Sequence, residues 1–392
     1  MNLPKGFLSS GVEAGIKEGR PDLALIIARE TAIASAVFTT NRFQAAPVTL
    51  SRAALKKSGG KISAVLVNAG CANAITGRQG LDDARRVRKE LAEKLVCPEE
   101  EIFLASTGTI GLRLPVEKIR KAIPSAIAEL TDDVEKASRA ILTTDIGPKV
   151  ASAEYKWKGK KGKIVGIAKG AGMIHPDMAT MLVFIMTDAP ATSRFLSLAL
   201  KKAVNSSFHS ITVDGDTSTN DTVLLMASGA MGGRKMTSPG AAGDFVEALE
   251  CVCGVLAQKI VSDGEGATRV MEIHVDGART DHEARLVANT VATSPLVKTA
   301  LHGGDPNWGR ILAAAGRSGA KFDISRVSLR IEDLFLVWEG EVAEYEEKKA
   351  AGLFSKDVVR VYIDLKAGRG SAMKKTCDLG HNYVTLNADY RT

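Results

Sequence analysis

The chain has 392 residues, 45% of them apolar and 25% charged, with a formal net charge of +7. That length suits about two or three domains, and the balance of apolar and charged residues excludes a disordered or fibrous chain. No stretch approaches the roughly 18 apolar residues of a membrane span, and the N-terminal MNLPKGFLSSGVEAGIKEGRPD lacks the apolar centre of a secretory signal, so a cytoplasmic protein is expected.

In chain order, the first clear element is LDDARRVRKELAEKL, residues 81–95, in which Leu81, Ala84, Val87, Leu91 and Leu95 recur at helical spacing opposite charged residues. EIFLASTGTIG follows, an apolar strand ending in a Ser/Thr/Gly turn. The densest basic patch, KWKGKKGK from Lys156 to Lys163, lies between the strand-like ASAEY and IVGIA. It predicts a hairpin with Gly159 and Gly162 at its tip, a solvated turn with no arginine and no nucleic-acid motif, so nucleic acid is not an expected partner. The positive field suits anionic substrates such as carboxylates.

Residues 169–189, KGAGMIHPDMATMLVFIMTDA, change character in the middle. Gly170, Gly172 and Pro176 make a loop up to Ala179, and from Thr180 the run Met181, Leu182, Val183, Phe184, Ile185 reads as a buried strand. Helices are expected over 194–207, capped by Ser193, and over 243–261. The segments VSLRIEDLFLVWEGE, DVVRVYIDLKAG and NYVTLNADY read as strands, giving an α+β or layered α/β protein that is richer in strands from about Thr290.

Cys71, Cys97, Cys251, Cys253 and Cys377 are odd in number and scattered, which predicts reduced core residues rather than a disulfide framework or structural zinc. The six histidines are dispersed with no i, i+4 pair, so no metal is expected.

Three features can carry chemistry. Thr180 sits at the seam between loop and strand; as a plain residue it merely opens the strand. If the bond before it were cut, it would carry its own α-amine as base. An α-amine of pKa about 7.8 is about 14% neutral at pH 7, against about 0.04% for a lysine near 10.4, so Lys169 suits a fixed cation better than a base. STGTIG, at a strand end, can aim a backbone N–H and a hydroxyl at a developing oxyanion, or be only a turn. The polar loops TTDIGPK, TVDGDTSTND, DGEGATR and HGGDPNWGR place Asp214, Asp216, Asp221 and Arg310 in turn-capping, ion-pairing or carboxylate-clamping settings.

Together and in order, VFTTNRFQAAPV, VNAGCANAITG, STGTIG, TTDIGPK, AKGAGMIHPDMATML, TVDGDTSTNDTV, EGAT, DPNWGRI and the terminal NADYRT resemble the ornithine acetyltransferase family, the glutamate N-acetyltransferases of arginine biosynthesis. The resemblance implies an αββα sandwich over residues 1–289 with a smaller C-terminal α/β lobe over 290–392. It implies self-cleavage between Ala179 and Thr180 into an α chain, 1–179, and a β chain, 180–392, assembled as a heterotetramer of two of each. Thr180 then becomes the nucleophile, passing acetyl from N-acetylornithine to glutamate by way of an acyl-enzyme. Thr107 and Gly108 match the family's oxyanion pair, and Thr143, Lys169, Thr180, Glu265, Asn387 and Thr392 its substrate contacts.

The resemblance implies no cofactor, and it leaves open whether acetyl-CoA serves as a second acetyl donor. The alternative is a self-cleaving aminopeptidase or amidase of similar architecture, with water or a peptide as acceptor. The chain departs from the family pattern at Ala69, Cys71 and Arg269, and in LGHNYV near the tail.

Overall fold

The computed structural model describes residues 1–175 and 181–389. In chain order the elements are β1 (Phe7–Val12), β2 (Leu23–Phe38), α1 (Ala46–Lys57), β3 (Lys61–Cys71), α2 (Gly77–Leu95), β4 (Ile102–Thr109), α3 (Val116–Ala128), α4 (Glu135–Ala140), β5 (Lys149–Trp157), β6 (Lys160–Lys169) and β7 (Leu182–Thr187). Then come α5 (Ser193–Ser206), β8 (Ile211–Thr212), β9 (Thr222–Ala227), α6 (Gly243–Ser262), β10 (Val270–Ala278), α7 (Asp281–Ala292), α8 (Pro295–Gly303) and α9 (Trp308–Gly316). The last are β11 (Ser328–Ile331), β12 (Leu334–Trp338), β13 (Glu341–Val342), α10 (Glu347–Phe354), β14 (Val358–Asp364), β15 (Gly370–Cys377) and α11 (His381–Asp389).

The described residues divide into two compact units, one within 1–209 and 216–260, the other within 210–215 and 261–389. This division falls between Ile260 and Val261, whereas the sequence placed it at 289/290. The reason is that β10 pairs with β14 and β15, so the strand opening at Val270 belongs to the second sheet.

In the first unit the strand order is β4-β3-β2-β9-β7-β6-β5, with β1 on β2. β2 belongs to two half-sheets. Its pairing with β3 breaks between Ile27 and Ala32, where Arg29, Glu30 and Thr31 are exposed, and its later half pairs with β9. Phe103 lies level with Ile26 through Val65, and Phe38 is twelve residues beyond Ile26 on β2. In a flat sheet that run would separate the two rings by about 40 Å. Their centroids are 6.0 Å apart, so the sheet folds back on itself at the break.

The fold-back encloses Ile26, Val65, Val67 and Phe103 with Ile167, Phe184, Leu224 and Met226. Outside one half, Leu25, Leu66 and Leu104 pack under α1, α2 and α3 through Leu50, Leu91 and Ile123. Outside the other half lies α6: a Cβ at Gly166 of β6 would come within 2.8 Å of Leu256 and 3.0 Å of Val252. Phe245 of α6 meets the Tyr155 ring of β5 edge to face there and packs tilted against Phe195 of α5. The layering is αββα, as the family resemblance implied.

The second unit has the sheet β13-β12-β11-β14-β10-β15-β8. One face packs Met271, Ile273 and Val275 on Val287 and Val291 of α7 and on Ile311 of α9. The alternate residues make a polar face, with Glu272 bonded to Arg360 at 3.1 Å and His274 stacked on Tyr362.

The helices at 81–95, 194–207 and 243–261 appear as α2, α5 and α6, but the cap of α5 is Thr192, whose hydroxyl accepts the Phe195 N–H, and not Ser193. The lysine hairpin turns at Lys158–Gly159, while Gly162 lies within β6, where a Cβ would meet the Tyr155 ring at 2.2 Å. Of NYVTLNADY, residues 382–389 are helical in α11 and not a strand. Its Tyr383, Val384 and Thr385 have strand propensity, yet Val384 is 64% exposed, so no pleated, half-buried surface is there to reward it. No helix among the described residues is long and apolar enough to cross a membrane.

Candidate active site

β3 and β4 run parallel and end together in a polar turn. Gly108 has φ +123°, and a Cβ there would lie 2.4 Å from the Gly70 carbonyl carbon, so only glycine allows the two strand ends to meet so closely. The turn is held from below. Ser106 Oγ donates to Asn68 Oδ1 at 2.6 Å, and Asn68 Nδ2 donates to the Cys71 carbonyl at 2.8 Å. Asn220, just before β9, donates from Nδ2 to the carbonyls of Ala72 at 2.7 Å and Ser106 at 2.8 Å.

Lys169 closes this corner from the end of β6. It is 3% exposed, and its Nζ donates to Thr107 Oγ1 at 3.0 Å. Lys169 also pairs with Leu182, the first residue of β7, and Leu182 pairs with Thr222 of β9. Thr107, Gly108 and Lys169 thus meet where β7 begins. Ala179 and Thr180 lie outside the described residues, as does Thr392.

Asp145, a residue that sequence reasoning left without a role, organises the loop that carries Thr143. Its side chain is fully buried. Its Oδ1 accepts from Lys149 Nζ at 2.6 Å and from the Gly170 N–H at 2.7 Å, and its Oδ2 accepts from the Thr143 N–H at 3.1 Å. Burial alone would raise its pKa, but the charges of Lys169 and Lys149 and these hydrogen bonds outweigh burial and hold it at about 2. The i, i+4 spacing of Asp145 and Lys149 was the available signal.

The linkage has a definite direction. The folded carboxyl is more acidic than an ordinary aspartate near 3.9, so its stabilisation is fully present above about pH 4 and is lost as pH falls through about 2. Unfolding free energy followed against pH by denaturant titration should show the wild type ahead of Asp145→Asn by about 2 kcal/mol at pH 6, with the gap closing below about pH 3.

Lys17 was also unmarked by sequence. Its Nζ donates to the Leu142 carbonyl at 2.8 Å, and burial, with Arg20 next, lowers its pKa to about 8.

In the second unit, Asn387 Nδ2 donates to Glu265 Oε2 at 2.8 Å, joining two residues far apart in sequence. Gly266 permits this: at φ +70°, a Cβ would sit 2.5 Å from the Tyr383 N, so α11 can lie against the loop only over a glycine. The base of α11 is fixed by Asp378, which accepts from the Thr268 and Arg269 N–H groups, from Thr268 Oγ1 at 2.7 Å and from His302 Nδ1 at 2.7 Å. Arg269 donates to the carbonyls of Leu301 and His302, a structural task. In HGGDPNWGR, Asn307 caps α9 and Arg310 donates to the Leu296 carbonyl, so the clamp reading of Arg310 gives way to a structural one.

The family model described as ArgJ matches residues 8–392. A protein of Chlorobaculum tepidum named arginine biosynthesis bifunctional protein ArgJ is 47% identical over 391 residues, covering 99% of this chain and 96% of its own. One of the same name from Thermus thermophilus is 46% identical over 393 residues, covering 100% of each. A crystal structure of arginine biosynthesis bifunctional protein argJ from Bacillus halodurans aligns with a TM-score of 0.51 and 40% identity, covering 53% of this chain and 98% of that one. With a family match from residue 8 to the last residue and relatives this similar over their full length, the chain belongs to the ArgJ family.

Proposed function

We propose that the chain is an arginine-biosynthesis acyltransferase that moves acetyl from N2-acetyl-L-ornithine to L-glutamate through an acetyl-Thr180 intermediate. The observation that carries the reading is the corner itself. A buried cation, a hydroxyl and a glycine strand end converge at the start of β7, the strand that follows Thr180 in sequence.

Scission comes first. The Thr180 hydroxyl adds to the Ala179 carbonyl carbon, the peptide nitrogen leaves as the new α-amine, and water releases the resulting ester. In transfer, that amine takes the hydroxyl proton while the oxygen attacks the acetyl carbonyl of the donor. The Gly108 backbone and Thr107 stabilise the oxyanion, and ornithine departs with its amine restored. Glutamate's amine then takes the acetyl group, which makes the cycle ping-pong.

Of the substrate contacts, Lys169 supplies a cation for the α-carboxylate, Glu265 a carboxylate for an amino group, and Thr143, Asn387 and Thr392 hydroxyl and amide groups for orientation. No cofactor enters, and acetyl-CoA is a second donor for glutamate, in keeping with the word bifunctional in the relatives' names. The enzyme works in the cytoplasm as two α and two β chains. The amidase alternative is not favoured, since the relatives named above are arginine-biosynthesis proteins.

The test is consumption of acetylornithine with and without glutamate. Consumption that requires glutamate and yields acetylglutamate is expected; glutamate-independent release of acetate would put a hydrolase in its place. Replacing acetylornithine by acetyl-CoA in the same assay reads the second donor.

A further inference from the structure

Asp221 is a buried carboxyl group with one oxygen engaged and one idle. It is wholly buried, its Oδ1 accepts the Met181 N–H at 2.7 Å, and among the described residues its Oδ2 has no hydrogen-bond partner. Its backbone is fixed as well, since its carbonyl accepts from the Thr39 N–H at 3.0 Å. The following residue, Thr222, donates its N–H to the Met181 carbonyl at 3.0 Å. The preceding residue, Asn220, holds the carbonyl of Ser106, next to Thr107.

Residues 220–222 therefore grip the oxyanion turn on one side and the residue after Thr180 on the other. A buried carboxyl oxygen without a hydrogen-bond partner is costly, and such groups are kept where something uses them. Burial pushes this carboxyl well above the usual aspartate range, against the pull of the Met181 amide and Lys169.

The nitrogen that Asp221 holds is the one bonded to the carbonyl carbon of Thr180. Scission at 179/180 creates a new donor one residue away, the α-amine of Thr180. We propose that Asp221 is the positioning residue for that amine: Oδ1 fixes the chain at Met181, and Oδ2 accepts from the α-amine once the cut has made it. The assignment rests on the reading of Thr180 as a self-generated chain start. When the amine takes the proton of the hydroxyl, it becomes an ammonium ion, and the carboxyl beside it orients and stabilises that cation, as a triad aspartate does for its histidine.

The experiment uses the full-length chain carrying Asp221→Asn, whose amide oxygen still accepts the Met181 N–H, with Asp221→Ala beside it. Asp221→Asn is expected to split into two fragments on a denaturing gel as the wild type does, because scission precedes the amine. Its kcat for acetyl transfer should fall about 100-fold, with KM for acetylornithine and glutamate each within about 3-fold. Acetylation of the β fragment by p-nitrophenyl acetate, read by mass, should slow by the same factor, whatever the natural substrate. Asp221→Ala should lose more in both assays.

Wild-type kcat and wild-type acetylation in Asp221→Asn would overturn the assignment, as would an Asp221→Asn chain that folds but stays uncut. A wild type that is acetylated by the ester yet never transfers between ornithine and glutamate would instead remove the proposed function, leaving the ester arm to judge Asp221.

Discussion

A Thr180→Ala chain should migrate on a denaturing gel as one full-length band where the wild type gives two, and should show no transfer between acetylornithine and glutamate. The expected loss is large because one substitution removes two events. Without the hydroxyl there is no attack on the Ala179 carbonyl, so no α-amine appears, and without the amine no base remains for transfer. Deleting a nucleophile that works as a unit with its base costs on the order of 10⁴–10⁶ in kcat. Thr180→Ser keeps the hydroxyl and should still cut and transfer, more slowly. Fragment masses by mass spectrometry and a glutamate-dependent assay read both outcomes. An uncut wild type with full activity would remove the mechanism.

The second large effect is expected at Asp145. Asp145→Ala takes the carboxylate away from Lys149, itself 3% exposed, and from the N–H groups of Gly170 and Thr143. Removing one partner of a buried ion pair costs about 3–5 kcal/mol, a large share of the stability of a domain. Chemical denaturation should show that loss as a lower midpoint with an unchanged slope. In whatever protein remains folded, the Thr143 loop loses its anchor, so KM for acetylornithine should rise. An unfolding free energy within about 1 kcal/mol of wild type would show that Asp145 does not hold the loop.

How much of this was legible beforehand depends on the kind of signal. α2 was visible because Leu81, Ala84, Val87 and Leu91 repeat at helical spacing along a surface helix. β7 was visible because a strand covered on both faces is apolar throughout. The C-terminal segment misled for the opposite reason: β-branched and aromatic residues in 382–390 carry strand propensity, and their helix, α11, buries none of its residues, so no periodic face marks it.

Thr107, Gly108 and Lys169 could be named through motifs in register, but their convergence could not. It depends on a parallel pairing of β3 with β4 and on the folding back of β2, contacts between residues tens of positions apart. Asp145 and Asp221 looked like ordinary loop aspartates. Only burial and the identity of the N–H groups they accept from separate them from Asp214 or Asp216.

The order β2-β9-β7-β6 has a consequence for the proposed cut between Ala179 and Thr180. β9 and β7 belong to the fragment that starts at Thr180, while the strands flanking them, β2 and β6, belong to the other fragment. Such a cut would leave two chains woven into one another, the second inserted as a central pair between ribbons of the first. Neither could drift away without tearing two ladders of hydrogen bonds, so the proposed proteolysis would alter covalent connectivity and create a reactive end while leaving these strands inseparable short of unfolding.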